Sequence, residues 1–378
     1  MVLIDLSAAF DTVDHEVALN VLDNKFRVSD SALEWFDSYL RPRQQRVKIR
    51  NSLSETKNLR YGVPQGSCNG PIIYTTYAST MVDIIDKHVT NCMGYADDHA
   101  LYMTINPNSL SNQTSTSNAM ECCLHDVREW MIRNRLKMND SKTEVIAFGT
   151  SRQVHKLSFD TVTVGHEQIK ICDLVKYLGV NLDSSLKLEK QISTKCNYAF
   201  RQLHTIRKIR RYISLDACQT LIYALVTSHL DYANCIYFNL PKYLIAKMQR
   251  VQNAAVRVLF KQPKYCHVTS LRKQAHWLPI AYRIHYKILC LAYKAISDDG
   301  PEYLKNLIQF KINTGHVTRS SVSKDLLIPR TRTKAGERSF KFAAPTLWNK
   351  LSNDTRNSNN ISQFKSKLKT ELFRQAYD

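Results

Sequence analysis

Three carboxylates open the case for chemistry. Asp5 lies in an apolar run, VLIDL at positions 2 to 6, and Asp97 and Asp98 stand side by side between the short arms of CMGYADDHALYM. An acid within a buried strand needs a paired cation or a metal, so Asp5 is either at the strand's exposed end or a ligand. The adjacent pair sits where the tip of a tight hairpin would be. If the first strand and this hairpin are neighbours in one sheet, the acids converge although about ninety residues separate them. Clustered carboxylates repel one another unless cations sit among them, and hard oxygen ligands select Mg²⁺ or Mn²⁺ over zinc. The chemistry this suits is two-metal phosphoryl or nucleotidyl transfer, in which ions roughly 3.5 to 4 Å apart stabilise the attacking and leaving oxygens. On spacing alone, an Asp-Asp pair is equally an ordinary turn.

Elements that would position these acids follow in order. VLIDL reads as a buried strand. Val17, Leu19, Val21, Leu22 and Phe26 give a helical face, with Asp11 and Asp14 as helix-entry acids, and a second helix covers roughly 31 to 40. Arg41-Pro42-Arg43 breaks it, and QQRVKIRN reads as a strand with Arg46, Lys48 and Arg50 on one basic face. YGVPQGSCNGP is an obligatory loop ahead of an apolar helix over about 72 to 85. A polar loop over 105 to 118 precedes a helix carrying Met120, Leu124, Val127, Met131 and Leu136. VIAF, LSFDTVTV with QIKI, and VKYLGVNL complete the strands. From about Ser185 helices take over, at 186 to 212, 215 to 229, 241 to 261 and 279 to 297. A basic linker over 311 to 338 then precedes a last helix near 361 to 375.

Charge is partitioned in the same way. Residues 1 to 150 hold 15 basic and 18 acidic side chains, and the remainder holds 38 and 15, giving the chain its net +20. Such asymmetry is the footprint of a nucleic-acid or anionic partner. With 378 residues, 10 Gly and 10 Pro, the chain is neither collagenous nor wholly disordered. Its 10 Cys show no zinc-type spacing, which reads as a reducing, intracellular compartment. Neither a signal peptide nor an apolar run long enough to span a bilayer is present.

The strings LIDLSAAFDTVDH, GVPQGSCNGP, YADDHALY and NDSKTEVIAFG, in this order, resemble successive palm motifs of reverse transcriptases. More narrowly they resemble the jockey-type branch of non-LTR (LINE-like) retrotransposon enzymes. VKYLGVNLDSSLKLEKQI is similar to the primer-grip region, and RVQNAAVRVL, LPIAYRIHYKIL and APTLWNKL to the family's C-terminal tail. The resemblance implies an α/β (α+β) polymerase palm followed by an all-helical thumb and a C-terminal helical region. Palm and primer-grip-like strands would occupy 1 to 184, a basic thumb and connection 185 to 300, and a basic linker with a terminal helix 301 to 378. It implies that Asp5, Asp97 and Asp98 bind two Mg²⁺ or Mn²⁺ ions. Phe10 would bar a 2′-hydroxyl, a core Phe being the alternative reading of its type. Gln65 and Gly66 would pack against the nucleotide, Gly permitting close backbone approach. Lys142 would protonate or neutralise pyrophosphate.

Phosphate contacts are expected from Arg43, Arg46, Lys48 and Arg50, and from Lys190, Lys195, Arg201, Arg207, Lys208, Arg210 and Arg211 on the first thumb-like helix. Trp277 and Trp348 are read as core. The implied partners are an RNA template, a DNA primer or target and dNTPs, in the nucleus, with no membrane. The family pattern also places a fingers domain and usually an endonuclease domain ahead of Asp5, and neither is among these residues. Cys68-Asn69 replaces two apolar residues, at an expected cost in packing at a helix start. Two readings follow: an RNA-directed DNA polymerase, or a catalytically inactive remnant that binds nucleic acid. A third is a structural protein whose basic helices bind other acidic partners.

Overall fold

The computed structural model describes residues 1–88, 90–297, 299–311 and 325–378. The chain divides into two compact units, Met1–Leu186 and Lys187–Asp378. Residues 312 to 324 of the expected linker lie outside the described residues.

The first unit begins with β1 (Val2–Ile4) and β2 (Leu6–Ser7), the helices α1 (His15–Asn24) and α2 (Asp30–Leu40), and four short strands. These are β3 (Arg43–Gln45) paired with β6 (Lys57–Leu59), and β4 (Lys48–Ile49) paired with β5 (Ser52–Leu53). Then come α3 (Gly70–Ile85), β7 (Asn91–Tyr95), β8 (Asp98–Tyr102), α4 (Leu110–Arg133), β9 (Lys137–Met138), β10 (Glu144–Ile146) and the short α5 (Ser151–Val154). Two hairpins close the unit, β11 (Thr161–Val164) with β12 (Glu167–Cys172), and β13 (Leu174–Tyr177) with β14 (Val180–Asp183).

Six strands form the main sheet in the order β11-β12-β10-β1-β8-β7. Only β10 and β12 run parallel within it. The run VLI is continuously apolar because β1 is covered on both faces. Val2 and Ile4 join the core made by Ile73, Tyr77 and Met81 of α3 and Leu124, Val127 and Met131 of α4. Leu3 packs on the other side with Ala100, Ile146 and Val175, so the β13–β14 hairpin lies against that face.

Two expected elements differ. The polar stretch 110 to 118 is the start of α4 rather than a loop: Ser109 caps it by accepting from the Asn112 N–H at 3.3 Å. Its polarity is tolerated because the buried Gln113 donates to the carbonyls of Pro107 and Lys156 and accepts from the Ser158 N–H at 2.7 Å. The expected single strand QQRVKIRN is broken at Arg46 and Val47, and Arg50 occupies the β4–β5 turn with φ +54°.

The second unit is built from α6 (Glu189–Ile209), α7 (Leu215–Ile222), a five-residue π-helical turn (Tyr223–Thr227), α8 (Ser228–Asp231), α9 (Lys242–Leu259), α10 (Thr269–Gln274) and α11 (Ile280–Ile296). They are followed by α12 (Glu302–Lys305), α13 (Phe340–Trp348), α14 (Asn353–Arg356) and α15 (Ile361–Tyr377). Ile192, Cys196, Ala199, Leu203 and Ile206 form the buried stripe of α6, which lies against α9. Phe364 of α15 stacks on Tyr293 of α11, 4.4 Å between centroids, and on the fully buried Trp348. α13 and α15 therefore complete the same helical core as α11 rather than forming a separate body.

Candidate active site

Pairing of β1 with β8 sets Ile4 opposite His99, and continuing that register by one residue sets Asp5 opposite Asp98. Tyr95 pairs with Asp98 across the β7–β8 hairpin, leaving Ala96 and Asp97 as its two-residue turn, with Ala96 at φ +55°. The sheet thus brings the three carboxylates to one end of two adjacent strands. Asp98 is held above the ordinary carboxylate range, first by burial and then by the charges of Asp97 and Asp5. That is the electrostatic mark of acids near enough to repel one another. Lys142 joins this end of the sheet from the turn Asp140–Lys142, its Nζ 4.0 Å from Asp5 Oδ2. With Lys142 70% exposed, the pair is weak and the ammonium is free to move.

The loop ahead of α3 is stitched to the segment after β2 by backbone. The Gly62 N–H donates to Val13 O at 2.8 Å and the Val63 N–H to Phe10 O at 2.9 Å. Gly62 has φ +84°, and a Cβ there would lie 2.8 Å from the Asp11 carbonyl oxygen, so only glycine allows this approach. Gln65 Nε2 donates to Asp11 Oδ1 at 2.9 Å, and Gly66, with φ +79°, faces open space. Ser67 braces the turn: its hydroxyl donates to Pro64 O and accepts from the Gly70 N–H and the Tyr39 hydroxyl. Phe10, Gln65 and Gly66 are brought together by these bonds.

Asp14 is the N-cap of α1, accepting from the Glu16 and Val17 N–H groups, and it pairs with Arg135 at 2.7 Å. Burial raises its pKa, but the Arg135 bond and the two backbone bonds outweigh that and leave it lowered. Asp11 instead holds Gln65, so of the two expected helix-entry acids only Asp14 caps the helix. Cys68 is exposed and Asn69 is the N-cap residue of α3, so both polar residues precede the packed turns and the expected packing cost does not arise.

The donor set can be tested against a metal without one being present. Among the described residues, no group of three or more His, Cys, Asp or Glu side chains is gathered tightly enough to hold an ion. In kind the set fits: the three are hard oxygen donors at one end of two adjacent strands, the ligand type that suits Mg²⁺ or Mn²⁺.

A family model described as reverse transcriptase (RNA-dependent DNA polymerase) matches residues 1–182. Those residues belong to the reverse transcriptase family. The chain is 28% identical over 283 residues to the probable RNA-directed DNA polymerase from transposon BS of Drosophila melanogaster, covering 72% of this chain and 30% of that protein. It is 26% identical over 285 residues to the RNA-directed DNA polymerase from mobile element jockey of the same organism, covering 71% of this chain and 29% of that protein. Both relatives carry the names of mobile-element polymerases, and this chain spans less than a third of the length of each. A telomerase from Candida albicans in complex with a telomeric RNA fragment aligns over 76% of this chain and 48% of that one, with 13% identity and a TM-score of 0.27.

Within the reverse transcriptase domain, sequence reasoning missed two tyrosines beside the acids. Tyr74 of α3 is fully buried and stacks on Phe10 with centroids 4.6 Å apart. Its hydroxyl has no partner, and its pKa is raised by burial and then by Asp97. Tyr177 of β13 donates to Met93 O at 3.4 Å, and its pKa is raised by burial and then by Asp98. Tyr74 has no local signal, being one apolar-face residue among several, whereas Tyr177 lies in the primer-grip-like string VKYLG. His99, between the acids and the core, is buried with both ring nitrogens unpartnered, and burial lowers its pKa.

The expected phosphate contacts separate into exposed and committed side chains. Lys48, Arg50, Lys190, Arg201, Arg207, Lys208 and Arg211 are exposed, as is Arg46, whose Nε donates to Thr56. Lys195 is half-buried, with its ammonium 5.0 Å from the Tyr232 ring centroid. Two expectations fail. Arg210 is buried and donates to the carbonyls of Val258, Leu259 and Ile213, so it is a helix-end clamp. Arg43 is half-buried and donates to Leu40 O and Gly62 O, holding the loop before α3 in place. Trp277 and Trp348, read as core, are 3% and 1% exposed. Among the described residues no helix is long and apolar enough to cross a membrane.

Proposed function

We propose that this chain is the palm and thumb of a non-LTR retrotransposon reverse transcriptase, adding deoxynucleotides to a primer 3′-OH along an RNA template. The observation that carries this is the β1–β8 register, which sets Asp5 beside Asp98 with Asp97 at the adjoining turn. Asp5, Asp97 and Asp98 would hold two Mg²⁺ or Mn²⁺ ions. Bound there, such ions supply Lewis-acid stabilisation of the attacking and leaving oxygens.

The chain's own residues supply positioning. Phe10, backed by the Tyr74 ring, excludes a sugar 2′-hydroxyl by bulk. Gln65 and the uncrowded Gly66 form the loop against which nucleotide and template pack. Lys142 meets negative charge on the leaving pyrophosphate. Arg46, Lys48 and Arg50 of the first unit, and Arg201, Arg207, Lys208 and Arg211 with the partly buried Lys195 of the second, neutralise template and primer phosphates. A separate endonuclease domain and residence in the nucleus belong to the same reading.

The test is primer extension by the purified chain on an RNA template with deoxynucleotides and Mg²⁺ or Mn²⁺, beside the double variant Asp97→Ala, Asp98→Ala. Extension that is lost in the variant and needs the ion is the expected result. No extension by either protein, with RNA still bound, would establish the inactive nucleic-acid-binding remnant and overturn the proposal.

A further inference from the structure

The helical unit contains a cavity that the polymerase reading does not use. The helix from Leu215 to Asp231 is interrupted by the π-helical turn at Tyr223–Thr227, a distortion that frequently marks functional positions. Tyr223, at the start of that turn, is 40% exposed, and its hydroxyl accepts from the indole N–H of Trp277 at 2.9 Å. The two rings lie 5.9 Å apart and form one wall of a cavity of about 330 Å³. That volume is at the lower end of the range for small-ligand sites, about 300–1,000 Å³.

Two further features say what would fill it. Asn234 lines the cavity at 3% exposure; its amide donates to Asp231 Oδ1 at 3.3 Å, while its own Oδ1 has no partner. A buried acceptor left unpaired is costly, and a ligand donor would satisfy it. Asp231, the acid on this wall, is neutralised by Arg283, whose guanidinium donates to both its oxygens. Lys287 and Lys369, both exposed, remain as uncompensated positive charge at the rim. The whole unit carries 34 Lys and Arg against 11 Asp and Glu.

A ring to stack on, a buried acceptor for a base-edge N–H, and two lysines for phosphate are the complement of a nucleotide. We infer that the cavity bounded by Tyr223, Trp277 and Asn234 binds one unstacked nucleotide of a single-stranded nucleic acid, with Lys287 and Lys369 on its flanking phosphates. This site lies wholly within Lys187–Asp378 and does not depend on polymerase activity.

The test measures binding by the full chain, so a failure of primer extension leaves it interpretable. Fluorescent ten-residue RNA and DNA oligomers, each with bases or as an abasic chain of the same length, are titrated by anisotropy. The wild type should prefer the base-bearing strand by about tenfold, the scale of one stacked base. Tyr223→Leu should erase most of that preference. Lys287→Glu with Lys369→Glu should weaken both strands about tenfold or more beyond the equal charge change Lys261→Glu with Lys264→Glu. Photocrosslinking of a 5-bromouracil oligomer to the wild type, mapped by mass spectrometry, should label Tyr223 or Trp277 and supplies a readout independent of any variant. Equal losses in the two charge-reversed proteins, or crosslinks only elsewhere, would overturn the site. Displacement of the oligomer by free AMP at matching affinity would show a mononucleotide site and overturn the strand assignment. The RNA and DNA arms identify which strand is the better occupant.

Discussion

Arg210 offers the sharpest separation between charge seen in a sequence and charge placed by a fold. Its Nε lies 3.1 and 3.2 Å from the Val258 and Leu259 carbonyls, its Nη2 2.7 Å from Leu259 O, and its Nη1 2.9 Å from Ile213 O. Val258 and Leu259 end α9, where carbonyls lack intrahelical donors. Arg210→Met keeps the aliphatic stem and removes the donors. The Lys261 N–H still reaches Val258 O, so the carbonyls of Leu259 and Ile213 bear most of the loss. At about 1–3 kcal/mol for each buried unpaired group, partly offset by entry of water, the variant should lose about 3 kcal/mol. For a unit of this size that is a fall of about 10 °C in Tm. Thermal unfolding by circular dichroism, with RNA affinity measured across a salt series, reads both quantities. Arg211→Met is the control: its side chain is exposed, so its Tm should stay near wild type while the salt slope falls by about 0.7 for one lost single-strand phosphate contact. If Arg210→Met kept the wild-type Tm and lowered the salt slope instead, the clamp would be wrong and Arg210 would be a phosphate ligand.

The carboxylate cluster predicts a pH signature. Because the folded pKa of Asp98 is raised, the native state loses stability as pH rises through that range, so Asp98→Asn should be more stable than wild type at neutral pH. The advantage should vanish near about pH 3, where Asp98 is largely protonated in the folded and unfolded states alike, and urea unfolding at the two pH values checks it. Millimolar Mg²⁺ should raise the wild-type Tm and leave Asp98→Asn unmoved; equal shifts would remove Asp98 from the ion site. Phe10→Val should relax discrimination against ribonucleotides by up to about a hundredfold in the ratio of kcat/KM values, and an unchanged ratio would return Phe10 to a packing role. Asp14→Ala should cost about 1–2 kcal/mol through the lost cap and Arg135 pair, without altering metal dependence in extension assays.

Local information in the chain was enough for most of its longer helices, though not for the start of α4 or for α10 and α13. The apolar periodicity of α6, α9 and α11 is a property of residues three and four apart, so the expected spans 186 to 212, 241 to 261 and 279 to 297 lie within three residues of those observed at each end. The same holds for α3 and for Asp14 as a cap, whereas the β7–β8 hairpin was expected with Asp97 and Asp98 at its tip and turns instead at Ala96 and Asp97, leaving Asp98 as the first residue of β8. Local composition misled where polar groups find distant partners. The start of α4 read as a loop because Gln113 and Thr116 are polar, yet Gln113 is satisfied by residues 156 and 158.

The four ordered motifs were sufficient, within the sequence, to point to a reverse transcriptase and to single out Asp5, Asp97 and Asp98. Only tertiary structure decided that β1 and β8 are neighbours, because strand pairing between residues about ninety positions apart leaves no local trace. Burial was undecided for the same reason: Arg210 and Arg211 are consecutive and identical in type, yet one closes a helix end and the other faces water. Residue types and their near neighbours set most of the longer helices and the kind of chemistry. Which charges meet, and which are removed from solvent, depends on contacts distant in the chain and was settled only when the chain packed.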